Sequence, residues 1–187
     1  RQPNICTPQY LAKEAQKLRK LKNVSVKIHD ERALEKLGTG GILAVTRGAA
    51  NPARLIELHY KGAEKSVSPI CLVGKGITFD AGGLCLKPGR RMNEMKYDMA
   101  GAAAVLSVFE SVATIQLPLN LTVIVAASEN MPDGNAYRPA DVITMLSGDT
   151  VEITNTDAEG RLLLADALTY AARFEPACII DVALSLI

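Results

Sequence analysis

Asp157, Glu159 and Arg161 stand at alternate positions directly before an apolar run that begins at Leu162 and continues to Tyr170. Ionised side chains do not crowd the edge of a segment bound for the core unless they are paired, ligate a metal, or both. The octapeptide Asn155-Thr-Asp-Ala-Glu-Gly-Arg-Leu162 therefore restricts the chain to folds that set two carboxylates and a guanidinium against the start of a buried helix. Such a group needs a positive partner, and a metal ion is the natural candidate. A plain capping segment with a solvated Asp and Glu leaves Arg161 and the apolar helix behind it unexplained.

The surrounding pattern predicts an α/β fold. Thr7-Pro8 reads as the N-cap and first residue of a helix reaching about Lys22, with Leu11, Ala15 and Leu18 on its apolar face. Val24 to His29 alternates as a strand, Asp30 caps a short helix that stops at Gly38, and another helical piece starts at Gly41. Residues 54–60, 68–74, 119–127, 150–155 and 178–183 read as strands, and 99–112 and 159–174 as helices. Several strands are apolar on both faces, which implies a sheet covered on both sides. The expected architecture is three-layer α/β/α with a mixed central sheet. The chain opens on Arg1 without a Met and closes on an apolar strand pattern with no turn after it. The expectation is that residues 1–187 are a fragment, truncated at the C-terminal side.

Hydrophobic residues make up 48% of the 187, enough for a sizeable core. Lys and Arg number 21 against 20 Asp and Glu, which argues against a strongly basic nucleic-acid surface. Trp is absent and aromatics are 4%, so base-stacking platforms are not expected. Cys6, Cys71, Cys85 and Cys178 show no CxxC pair. The last three lie in apolar surroundings and read as small core residues in a reducing, cytoplasmic setting. No signal peptide is visible, and the longest uncharged apolar stretch, around Ala100 to Phe109, is too short for a bilayer.

Other acidic residues fall where such folds collect ligands. Lys75 and Asp80 follow a strand expected to end near Gly74, Asp98 stands at a helix start, and Glu129 follows the strand expected to end near Ala127. In layered α/β folds, ligands gather outside the carboxyl ends of the strands. Taken singly, Asp98 reads as an N-cap, Asp80 as a turn residue before Gly82-Gly83, Glu129 as surface and Lys87 as a solvated loop lysine. Lys75 lies between glycines outside any phosphate-loop spacing; held inside beside cations, it would lose its proton and ligate metal as a neutral amine. His29 and His59 are distant in sequence from the acids and read as strand or turn residues. Hard oxygen donors without His or Cys suit manganese, magnesium or a carboxylate-rich zinc site. Three or four carboxylates plus a nitrogen exceed the needs of one ion, and two ions about 3.5–4 Å apart would share them. Arg161 and Lys87 would then face an anion or a developing oxyanion. The residues alone reach a two-metal hydrolase with a cationic wall and leave peptide or phosphate open.

With these residues in place, the chain resembles the leucine (cytosol) aminopeptidase family. The octapeptide at 155–162 matches that family's signature. Val73-Gly-Lys-Gly-Ile-Thr-Phe-Asp-Ala-Gly-Gly83, Leu86-Lys-Pro-Gly89, Met95-Lys-Tyr-Asp-Met-Ala-Gly101 and Glu129-Asn-Met-Pro132 match further blocks in order and spacing. The resemblance implies that Lys75, Asp80, Asp98 and Glu159 hold a tightly bound metal. It implies that Asp80, Asp157 (by carboxylate and backbone carbonyl) and Glu159 hold an exchangeable one. Lys87 would steady the substrate carbonyl and oxyanion, and Arg161 a bicarbonate acting as general base. Two divalent ions (manganese, zinc or magnesium), peptide substrates with a free α-amine bound at a metal, release of leucine and other apolar residues, and a homo-hexamer are implied likewise. No catalytic role for Glu129 follows. Ala100, Arg90-Arg91 and Ala183-Leu-Ser-Leu-Ile187 depart from the family pattern.

Two other readings stand beside it. Some bacterial members of the family bind DNA as hexamers, but the near-neutral charge of this chain gives that role no support. The open strand at the end also makes a catalytically inert fragment an expectation to test.

Overall fold

β4 (Asn120–Asn130) is buried along all but its first residue, and every other element is arranged around it. The computed structural model describes residues 1–184. The end of the divergent segment, 185–187, lies outside the described residues. β4 is flanked by β2 (Arg54–Lys61), which pairs antiparallel with it, and by β3 (Ile70–Asp80), which runs parallel. β1 (Val24–His29) adds antiparallel to β2, and β7 (Cys178–Val182) adds parallel to β3, giving the order β1-β2-β4-β3-β7.

Period-two alternation sends Leu55, Val73 and Ile124 to one face and Ile56, Val123 and Val125 to the other. The first face packs against α2 (Glu31–Leu37), α3 (Gly40–Thr46) and α5 (Glu159–Ala172) through Leu34, Ile42 and Leu163. The second packs against α1 (Pro8–Lys17) and α4 (Ala100–Thr114) through Leu11, Val105 and Phe109. The three-layer α/β/α architecture with a mixed sheet is thus observed. Parallel neighbours need long crossovers. The β3-to-β4 crossover carries α4 and the β4-to-β7 crossover carries α5, so both helices start at the edge where β3 and β4 end.

Thr7 caps α1, accepting from the Tyr10 amide at 3.3 Å, and Asp30 caps α2, accepting from the Ala33 amide at 2.9 Å. α1 stops at Lys17 and gives way to a 3-10 turn over Leu18–Lys20, earlier than its periodicity predicts. The strand at 150–155 shortens to β6 (Thr150–Glu152), which forms a separate hairpin with β5 (Val142–Thr144). β3 and β4 are both longer than expected, because parallel pairing carries their polar ends as far as Asp80 and Asn130. Cys178 is exposed on β7 and Cys85 half-buried, so neither is the core residue that its apolar neighbours suggest; Cys71 is buried.

Candidate metal centre

Lys75 and Asp80 lie on β3 itself, not after it. Their separation of five would send regular strand side chains to opposite faces. Between Ile77 and Asp80 the register slips, with three steps on β3 against two on β4 (Ile77↔Ser128, Asp80↔Asn130). That extra residue brings Asp80 back to the face of Lys75. Beyond it, Gly82 and Gly83 take positive φ (89° and 66°), and this lets the chain turn back under the site.

Asp157 and Glu159 are presented by a short piece of local structure. Asn155 Oδ1 accepts from the Asp157 amide at 2.8 Å and opens a 3-10 turn over Thr156–Ala158, and α5 begins at Glu159. The start of α5 favours negative charge there. Gly160 leaves room for Lys75, whose Nζ would lie 2.9 Å from a Cβ at that position.

The acids converge. One ligand oxygen each from Asp80, Asp157 and Glu159 lie within 4.8 Å of one another. Lys75 Nζ stands 2.8 Å from Asp98 and 3.0 Å from Glu159. Lys87 Nζ stands 3.1 Å from Asp80 and 2.6 Å from Asp157. Asp98 is therefore not the cap of α4, whose N-cap is Met99 without a side-chain bond. Lys87 is no solvated loop lysine either, since its side chain is only 11% exposed. Arg161 is exposed in the first turn of α5, lines the same cleft of about 300 Å³, and makes no salt bridge among the described residues. Arg91 pairs outward with Glu94.

Four carboxylates are thus met by two ammonium groups. Burial pushes Asp98 up to about 7 against the pull of Lys75. Burial, then the nearby Asp80 charge, raises Glu159 above the usual carboxylate range. Burial works to strip the proton from Lys75, but Glu159 and Asp98 outweigh it and hold its pKa above that of an ordinary lysine. A neutral Lys75 accordingly requires another cation between these carboxylates. Among the described residues, Asp98 Oδ2 is buried with no hydrogen-bond partner. Surplus negative charge, an orphaned carboxylate oxygen and convergent hard donors fit one or more divalent cations.

Neutral residues around the acids were not singled out by the sequence. Asn130, at the end of β4, donates from Nδ2 to Asp80 Oδ1 (2.9 Å) and to the Thr156 carbonyl (2.9 Å), and reaches Glu159 Oε2 at 3.4 Å. Tyr137 donates to the same Thr156 carbonyl at 2.8 Å, and Thr156 Oγ1 donates to the Gly82 carbonyl at 2.7 Å. Asn130 entered the sequence reading only within the block Glu129-Asn-Met-Pro132, because neither hydrophobic period nor charge marks it. Glu129 is buried, not surface; its carboxylate is held by Asn51 Nδ2 at 2.9 Å and takes no part in the cluster.

Residues 1–184 match the sequence model described as "Cytosol aminopeptidase family, catalytic domain". A protein of Dechloromonas aromatica named "Probable cytosol aminopeptidase" is 59% identical over 181 residues, covering 97% of this chain and 36% of that protein. Proteins of the same name from Azoarcus sp. strain BH72 and Pseudomonas syringae pv. tomato are 57% and 56% identical, over 96% and 97% of the chain. The chain spans 36% and 37% of the length of those two relatives.

Proposed function

Because the chain belongs to the cytosol aminopeptidase family, we propose that the protein carrying it is a two-metal aminopeptidase releasing N-terminal residues, preferably leucine and other apolar ones, from peptides. The observation that supports this most is the convergence of Asp80, Asp157 and Glu159 beside Lys75 and Lys87. On this reading Lys75, Asp80, Asp98 and Glu159 hold one divalent ion, and Asp80, Asp157 and Glu159 the other. Manganese or zinc suits the donor set best, with magnesium next. When bound, the ions supply the Lewis acidity that polarises a peptide carbonyl and makes water acidic.

The chain's own residues do the rest. Lys87 sits between two carboxylates that hold its pKa above the ordinary value in spite of burial, so it stays a cation. Its ammonium then donates to the substrate carbonyl and to the negative charge that develops there. Arg161, beside the start of α5 and unpaired with the acids, holds bicarbonate as the exchangeable base. The requirement for a free α-amine accounts for exopeptidase specificity. Residues 1–187 form part of the catalytic domain, and the whole protein is a cytoplasmic homo-hexamer. No helix among the described residues is long and apolar enough to cross a membrane.

The test is hydrolysis of leucine p-nitroanilide by the full protein with manganese, then after chelation and after the ion is restored. Activity is expected to vanish and return. No hydrolysis at confirmed metal content sinks the reading.

A further inference from the structure

We propose that Asn130 is the positioning residue of the metal centre: its single amide group sets the Asp80 and Glu159 carboxylates, from two different elements, in one orientation. The inference rests on the metal reading above. Asn130 is fully buried at the end of β4. Its Nδ2 faces three oxygens: Asp80 Oδ1 and the Thr156 carbonyl, both at 2.9 Å, and Glu159 Oε2 at 3.4 Å. All three are acceptors, so only an NH2 can face them, and the reversed amide would set a carbonyl oxygen against two carboxylates. The side chain therefore has one orientation, decided by chemistry.

Among the described residues its other atom is left without a partner: Asn130 Oδ1 is buried and makes no hydrogen bond with them, and it lies so near Gly83 that a Cβ there would come to 2.8 Å. A buried polar atom left unmatched is costly to a fold and points to a demand other than stability. The backbone repeats the grip, because the Asn130 carbonyl accepts from the Ala81 amide at 2.9 Å.

The residue type matters. A lysine at this place would neutralise the carboxylates and compete with a divalent ion. An acid would repel them. A neutral double donor holds Asp80 and, through the Thr156 carbonyl, the turn that carries Asp157 without spending carboxylate charge, and its longer contact at 3.4 Å orients Glu159 as well. Groups that orient metal ligands in this way typically contribute about 10–100-fold to metal affinity.

Manganese binding to the chelator-stripped full chain, measured by calorimetry for wild type, Asn130→Ala and Asn130→Asp, tests this, with thermal melts of the stripped proteins alongside. Asn130→Ala is expected to weaken binding about 10–100-fold. Asn130→Asp keeps the shape and so guards against a variant that fails to fold. It removes the donors while adding a charge, and weaker binding is expected again. Wild-type affinity in a folded Asn130→Ala, or tighter binding in Asn130→Asp, would overturn the positioning role. A wild-type chain that takes up no manganese would instead sink the metal reading itself.

Discussion

α5 ends in buried polar clusters at both of its termini, and the two are built differently. Near its C-terminal end Tyr170 donates to Glu57 Oε2 at 2.6 Å, and His29 and His59 each approach a Glu57 oxygen at 2.8 Å. His59 also reaches Thr122 Oγ1 at 2.9 Å, and Phe174 packs edge-on against both His59 and Tyr170. One carboxylate is surrounded by three donors and both of its oxygens are used. Burial opposes the charge on Glu57, yet the bonds from His29, His59 and Tyr170 outweigh it and hold its pKa well below the usual carboxylate range. At the N-terminal end four carboxylates share two lysines, Asp98 Oδ2 has no hydrogen-bond partner among the described residues, and burial pushes Asp98 and Glu159 the other way. A buried charge is tolerable when its partners are complete and costly when they are not. The Glu57 cluster is thus complete as a structural clamp, whereas the Asp80 cluster calls for further positive charge. Both of the chain's histidines serve the clamp, so the proposed metal centre draws on the acids and Lys75 alone.

Substitutions that break one cluster should leave the other intact. The largest effect is expected from Asp157→Ala or Glu159→Ala. Each should abolish occupancy of at least one metal position and reduce peptide hydrolysis to background, as metal analysis and a leucine p-nitroanilide assay would show. The stripped variants should still melt cooperatively, since the change removes surplus negative charge. Full metal occupancy in Glu159→Ala would refute the ligand assignment.

Next comes Lys87→Ala, expected to lower kcat by about 10²–10³-fold, the usual loss for one donor to a developing oxyanion. Steady-state kinetics at saturating metal would check it, and a change confined to KM would argue for ground-state binding instead.

At the other end of α5, Tyr170→Phe removes one hydrogen bond to a buried charge and should cost about 1.5–3 kcal/mol of stability in denaturant melts. Manganese affinity should not change. If it falls together with stability, the two clusters are coupled through the helix and the contrast drawn above fails.

The smallest effect concerns pH. A carboxylate whose folded pKa is depressed contributes stability above its unfolded value, near 4.3, and loses that contribution as pH falls towards the folded one. The Glu57 clamp should therefore weaken below about pH 4 in both proteins, and Tyr170→Phe, with one donor fewer and a less depressed carboxylate, should lose less stability and level off at a higher pH. Urea midpoints measured from pH 3 to 7 would show it; coincident acid limbs for the two proteins would count against the clamp.

Most of the fold was legible because hydrophobic period and caps are local. Thr7, Asp30 and Gly38 mark helix ends, and the apolar run of β4 marks a strand covered on both faces. What was misjudged lies where tertiary pairing overrides pattern. β3 continues through Gly74-Lys-Gly76 to Asp80 only because β4 lies alongside to pair with it. Asp98 looks like a cap until Lys75 claims it, and Glu129 looks like surface until Asn51 covers it.

Residue type and order were enough to determine the charged inventory. Asp80, Asp98, Asp157 and Glu159 with Lys75 and Lys87 could be picked out in advance, because acids beside core segments need a reason to be there. Tertiary structure alone decided which of them meet. The register slip before Asp80 turns it to the face of Lys75, and Asn130 bridges β3, β4 and α5, which are distant in sequence. Contacts of that kind leave no periodicity in the chain, since they depend on the relative placement of elements whose own sequences are indifferent to it.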